Sequence, residues 1–223
     1  MRTGQRHAAA GLLLIVAVFV VAGCAAGTVA APLPTVTPAS TASARISVGV
    51  VGDSLSVGSG TDSLPQDPGS WVEYLGPDIV LAGGWRRDAA ETGAMAANLR
   101  PFVADALVIM AGTNDVLQGV DPEDTVANIE KVSEKASVGV VVLCAIPPSL
   151  PAPERATRLN EHLQQLAQER GWSWVDPWIP ERDGDGWKAG ASPDGTHGTL
   201  TTYAKVGEVI TQVVSREASH ARG

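Results

Sequence analysis

The sequence predicts a single α/β domain of three layers, with a parallel sheet of five strands between two layers of helices. Three observations lead to it: five short apolar runs at 46–51, 79–82, 106–111, 138–146 and 172–175, helical periodicity in the stretches between them, and small polar residues where the runs end. The first run, ISVGVV, is followed at once by Gly52-Asp53-Ser54, and IVLA at 79–82 by Gly83-Gly84. The third, ALVIMA, leads into Gly112-Thr113-Asn114-Asp115. Apolar continuity of this kind predicts strands buried on both faces, as in a parallel sheet. Asp121-Pro122 then opens a helix with a cap and a first-turn proline, and Val126, Ile129 and Val132 repeat along one side. After the fourth run, VGVVVLCAI, a second helix spans 154–170, with Leu159, Leu163, Leu166 and Ala167 on one face and Gly171 as its stop. A weaker strand, WSWV at 172–175, precedes a last helix carrying Val206, Val209, Ile210, Val213 and Val214 on one side. No internal repeat interrupts this alternation.

The ends of the chain are of another kind. Arg2 and Arg6 precede an apolar run from Gly11 to Ala22, too short and too poorly flanked for a spanning helix, so residues 1–23 read as an export signal. The run closes on Val21-Ala22-Gly23-Cys24, which resembles the lipobox of bacterial lipoproteins. That resemblance implies a lipidated Cys24, held at the outer side of the cytoplasmic membrane by several acyl chains. The alternative is an ordinary secreted protein cleaved after Ala30, with Cys24 incidental. Residues 24–44 are Ala, Thr, Pro and Ser with almost no charge, a tether whose coil reach is roughly 25 Å. The folded domain is expected over residues 45–216, with a polar tail at 217–223.

The 223 residues are 44% hydrophobic and 18% charged, the balance of a globular domain with a sizeable core. The net charge is −8, and removal of the leader takes Arg2 and Arg6 but no acid, which leaves −10. An acidic chain without a basic cluster argues against nucleic acid and against electrostatic docking on membranes. Cys144 lies in an apolar run, where a thiol serves as a small buried hydrophobe, so no disulfide framework is available.

In a sheet of this type ligands gather beyond the carboxyl ends of the strands. Three segments belong there: Gly52-Asp53-Ser54-Leu55, Gly112-Thr113-Asn114-Asp115, and SPDGTHGT, which places Asp194 three residues before His197. Taken singly, each is ordinary turn or cap chemistry. Of four histidines, His7 leaves with the signal, His220 sits in the polar tail and His162 lies within an amphipathic helix. His197 alone follows a glycine-rich loop with a carboxylate upstream. A serine hydroxyl becomes a nucleophile when a base takes its proton, and a neutral imidazole is suited to that role. Asp194 would fix the ring's tautomer and stabilise the imidazolium. Asp194 and Thr196 could equally cap the last helix, and the two roles can coexist.

GDSLS, GTND and DGTH, in this order, are similar to the blocks of the SGNH (GDSL-type) hydrolases over residues 46–214. The resemblance implies a flavodoxin-like five-stranded parallel sheet, the SGNH hydrolase fold, with Ser54 as nucleophile, His197 as base and Asp194 as its orienter. It further implies that the Ser54 N–H and the Asn114 side-chain amide serve the oxyanion hole. One block departs from the family pattern, which has a glycine N–H donor after the second strand, commonly followed by x-Thr-Thr. Here the chain reads GGWRRDAAET, so aligning on Thr92 places Ala89 at the glycine and aligning on glycine selects Gly84. Ala89 is preferred, because a backbone donor survives a methyl side chain where φ is negative.

Residues 181–186 mimic the start of a calcium loop, yet Ser192 stands where a bidentate Glu is needed, so calcium is not expected. Asp194 and His197 lack further His or Cys nearby to complete a metal set. Trp85 and Trp187 are candidates to line an acyl or sugar site, while Trp71, Trp172 and Trp174 are assigned to the core. Arg86 and Arg87 could hold an anionic substrate, and a solvated loop is the preferred reading. The expectation is a membrane-tethered serine ester hydrolase that needs no cofactor and no metal. Its substrate would be an O-acylated envelope glycan, a lipid or a small ester, with short acyl groups favoured because no long insertion supplies a lid. An acyltransferase with the same triad, or a non-catalytic ligand-binding lipoprotein, are the alternatives.

Overall fold

A computed structural model of the protein describes residues 45–57 and 69–223. The export signal, the tether and Cys24 lie outside the described residues. The main sheet holds β1 (Ile46–Gly52), β2 (Ile79–Arg86), β3 (Ala106–Met110), β4 (Val141–Cys144) and β5 (Ser173–Val175) in the order β2-β1-β3-β4-β5. Every pairing in it is parallel. The helices are α1 (Thr92–Asn98), α2 (Thr113–Gln118), α3 (Pro122–Ala136), α4 (Pro153–Arg170) and α5 (Leu200–Arg222), and a small hairpin joins β6 (Arg182–Asp183) to β7 (Gly186–Trp187).

Alternation along the strands divides the core between the two faces. Leu107, Ile109, Val141 and Leu143 meet the apolar sides of α1, α3 and α4. Ala106, Val108, Met110, Val142 and Cys144 meet α5 and the short turn of helix at Trp71–Tyr74. Two faces buried by two helical layers give the three-layer α/β fold that the apolar runs predicted. Burial pushes the Cys144 thiol far above its usual range, in keeping with a packing role.

Helix ends follow from local chemistry. α3 begins at Pro122 after Asp121, although the Asp121 side chain makes no capping bond. α4 stops at Gly171, which takes the left-handed φ of 65° that costs glycine little. α5 is capped by Thr199, whose Oγ1 accepts the Thr202 N–H at 3.2 Å, so neither Asp194 nor Thr196 is its cap. The helix also runs on through Arg222, where a polar tail was expected from residue 217. Ala218 is buried, and Arg222 pairs with Asp105 at 2.8 Å, which carries the helix to the end of the chain.

Two further expectations are corrected. β4 is confined to 141–144, because Ser137 turns the chain at the end of α3 with φ 55°. β2 is not buried on both faces: Val80 and Leu81 are 39% and 43% exposed. Its position at the edge of the sheet is the reason, and edge position leaves no trace in hydrophobic periodicity. Trp71 is fully buried as assigned, while Trp172 and Trp174 pack against the core from partly buried positions.

The strand order sets the site. From β1 the chain passes to β2 on one side, and β3, β4 and β5 lie on the other, so the reversal of direction falls between β1 and β3. Crevices form at such a point, beyond the carboxyl ends of the two strands. Ser54 follows β1 and Asn114 follows β3.

Candidate active site

β1 ends at Gly52, where a Cβ would come within 2.4 Å of Ser56 Oγ and 2.8 Å of the Met110 carbonyl oxygen. The chain then makes a single turn of 3₁₀ helix over Ser54–Ser56, capped by Asp53, whose Oδ1 accepts the Leu55 N–H at 3.1 Å. Ser56 is tied down as well, its Oγ accepting the Trp71 indole N–H at 2.9 Å. From Val51 to Val57 every residue is buried except Ser54. The abrupt turn therefore presents one hydroxyl at the crevice and hides its neighbours.

Although 143 positions apart in sequence, Ser54 Oγ and His197 Nε2 lie 2.9 Å from one another. His197 Nδ1 is 2.7 Å from Asp194 Oδ2. A carboxylate can only accept, so Nδ1 carries the proton and Nε2 is left to accept the Ser54 hydroxyl. Asp194 Oδ1 accepts the N–H groups of Thr196 at 2.8 Å and His197 at 2.7 Å. Partial burial raises the Asp194 carboxyl, but these N–H groups and the imidazole outweigh it and hold the pKa below the usual carboxylate value.

The loop that carries Asp194 and His197 is clamped from two directions at one atom. The Gly195 carbonyl accepts the Leu150 N–H at 2.9 Å and the Trp187 indole N–H at 3.1 Å. Trp187 is itself braced edge-on against the buried Trp178, with ring centroids 5.6 Å apart.

After β3, Asn114 sits in the first turn of α2 and donates from Nδ2 to the Ala90 carbonyl at 3.1 Å. Its neighbour Asp115, buried, accepts the Thr92 N–H at 2.9 Å and also the Thr92 hydroxyl, binding the start of α1 to α2. Immediately before these anchors lies Ala89. The premise of a negative φ fails there: φ is +53°, a left-handed conformation worth about 1–2 kcal/mol of strain for a residue with a Cβ. That is backbone a glycine adopts freely, and among the described residues nothing accepts the Ala89 N–H. Gly84 instead lies inside β2 opposite Val50, with φ +111° and room for no Cβ, a strand-packing glycine short of the strand end.

The family model of the GDSL-like lipase/acylhydrolase family matches residues 50–205, most of the chain. The chain belongs to the GDSL-like lipase/acylhydrolase family. No curated protein is significantly similar to this acylhydrolase-family member in sequence. Among solved structures, a member of the lipolytic protein G-D-S-L family from Veillonella parvula is similar with a TM-score of 0.61 and 19% identity, over 77% of this chain and all 100% of that one. A carbohydrate acetylesterase from Sinorhizobium meliloti gives 0.56 and 20%, over 77% of this chain and 99% of that one. A catalytic mutant of an acetylxylan esterase from Geobacillus stearothermophilus gives 0.58 and 14%, over 76% and 94%. At these identities the likeness is one of fold.

Sequence reasoning placed three other features of the GDSL-like chain incompletely. Trp85 borders a cleft of about 410 Å³ that includes Ala89 and Ala90, and Trp187 one of about 620 Å³ that includes Asp194. Arg87 is exposed, whereas Arg86 is half-buried and donates from Nη1 to the Ser56 carbonyl at 3.1 Å, which corrects its reading as solvated. Residues 182–187 form the β6–β7 hairpin, and Glu181 just before it is paired to Lys205.

Asp53 was legible only as a turn residue. It is fully buried, and its Oδ2 has no hydrogen-bond partner. Burial raises its carboxyl from 3.8 to about 7, with the Asp115 charge adding and the Leu55 N–H and His197 opposing. The folded protein thus keeps a proton that the unfolded chain releases between about pH 4 and 7. Stability falls as pH rises through that window and levels off above it. Even about 1.4 kcal/mol of this linkage, one pH unit, moves Tm by roughly 3–5 °C in a domain of this size. Thermal melts at pH 5 and pH 8 are therefore expected to show a smaller loss of Tm in Asp53→Asn than in the wild type.

Proposed function

We propose that the protein is a serine ester hydrolase acting on carboxylic esters, with Ser54 as nucleophile, His197 as general base and acid, and Asp194 as the orienter of the imidazole. The observation that carries this reading is the continuous hydrogen-bonded line from Ser54 Oγ through His197 to Asp194, which begins at the one unburied side chain of its segment.

The proposed cycle runs in two halves, acylation of Ser54 and release of the acyl group. His197 Nε2 takes the Ser54 proton as Oγ bonds to the ester carbonyl carbon, and the carbonyl π pair moves to oxygen. Asp194 stabilises the imidazolium so formed. The oxyanion is received by the Ser54 N–H, by the Asn114 Nδ2 hydrogen not engaged by Ala90, and by the Ala89 N–H, each such donor being worth about 3–4 kcal/mol. Collapse expels the alcohol, which takes its proton from His197. Water, deprotonated by the same imidazole, then releases the acid and restores Ser54. These side chains complete the cycle without a cofactor.

Short acyl groups are the favoured class. The carbohydrate acetylesterase and acetylxylan esterase of similar fold support acetyl esters in particular. Export and attachment to the outer face of the cytoplasmic membrane through a lipidated Cys24 belong to the same proposal and rest on the leader and its Val-Ala-Gly-Cys end. A fluorophosphonate probe tests the chemistry, since it reacts only with an activated serine. Labelling mapped by mass spectrometry to the peptide carrying Ser54, and lost in Ser54→Ala, is the expected result. Equal labelling of both proteins, or none of either, overturns it.

A further inference from the structure

We propose that the groove on the Asp194 side of the site holds the alcohol portion of the ester, and that this portion is a neutral saccharide. The inference rests on the esterase reading and deepens it. Proton transfer fixes the polarity of the site: the leaving oxygen must lie against His197 Nε2, whereas the carbonyl oxygen turns towards Asn114 and Ala89. The alcohol therefore extends past the imidazole, towards the loop of Asp194.

A groove of about 620 Å³ opens there, within the range of small-molecule sites, and Asp194 and Gly195 form part of its wall. Its other walls are Leu150, from the loop after β4, and Trp187, from the β6–β7 hairpin. Leu150 is 73% exposed, an unusual place for a large aliphatic unless something covers it. Both walls are fixed before any ligand arrives, because the Leu150 N–H and the Trp187 indole share the Gly195 carbonyl. A rigid aromatic wall binds at little entropic cost.

The lining also selects the chemistry of its occupant. Asp185 and Asp194 place carboxylates at the rim, acceptors suited to hydroxyl donors and repellent to phosphate. Among the described residues Lys188 is the cation of this lining, and its Nζ donates to the Pro180 carbonyl at 2.6 Å. A sugar ring offers apolar C–H faces to Trp187 and Leu150 and hydroxyls to the rim.

Two acetyl esters that differ only in the alcohol test the proposal: a partly acetylated cello-oligosaccharide and 4-nitrophenyl acetate. Ala189→Trp and Ala189→Arg narrow the groove from an exposed position outside the Gly195 clamp, leaving Leu150, Trp187 and the triad in place. In each variant KM for the saccharide ester is expected to rise at least about tenfold. Turnover of 4-nitrophenyl acetate and fluorophosphonate labelling of Ser54 should stay within about twofold of wild type. An unchanged saccharide KM, parallel losses on both esters, or a wild type that cleaves the aryl ester but not the saccharide ester overturns the subsite while the esterase stands. A wild type that neither labels nor cleaves either ester overturns both.

Discussion

Asp194→Asn is expected to lower kcat for ester hydrolysis by about 10³- to 10⁴-fold. The substitution preserves shape and one acceptor oxygen, so the Thr196 and His197 N–H groups that Asp194 Oδ1 now accepts keep a partner. What changes is the atom facing the ring. An amide NH₂ set against Nδ1, which now lies 2.7 Å from a carboxylate oxygen, asks Nδ1 to accept and so moves the ring proton to Nε2. Nε2 can then no longer take the Ser54 proton, and the imidazolium loses its counter-charge. The Asp194 side chain is 50% exposed, so water partly replaces that charge, which favours the lower end of the range. Steady-state kinetics on 4-nitrophenyl acetate, with a thermal melt to show an unchanged fold, measure the effect. A loss below about tenfold would show that the carboxylate only holds the loop.

Asn114→Ala is expected to lower kcat by about 10²- to 10³-fold with KM little altered, because an oxyanion donor acts on charge that exists only in the transition state. Of the two Nδ2 hydrogens, one is engaged by the Ala90 carbonyl at 3.1 Å, which orients the amide and leaves the second for substrate. Loss of that bond alone would not release the neighbouring turn, since Asp115 still grips Thr92. The same pair of assays separates the two effects: a rise in KM without a fall in kcat would place Asn114 in ground-state binding instead.

The fold was legible because both faces of β1, β3 and β4 are covered, so burial is written as unbroken apolar runs. β2 has the same composition at its start and a different fate. Edge or centre is decided by strand order, which depends on contacts far apart in the chain. The candidate site divides in the same way. Ser54, Asp194 and His197 could be selected because small-residue loops after strands converge on one rim, and because elimination left one histidine. Ala89 could be aligned but its φ could not be foreseen, since that angle is set by the turn running from Arg87 into α1. The roles of Asp53, Arg86 and Trp187 arise from burial or from partners such as Ser56 and Gly195, and the residues themselves give no local sign of them.

The Gly195 carbonyl ties the alignment of His197 to a hairpin with only two residues in each strand. So short a ladder opens more readily than the five-stranded sheet beneath it. On warming, the catalyst would fall silent while its scaffold was still intact, and cooling would bring it back.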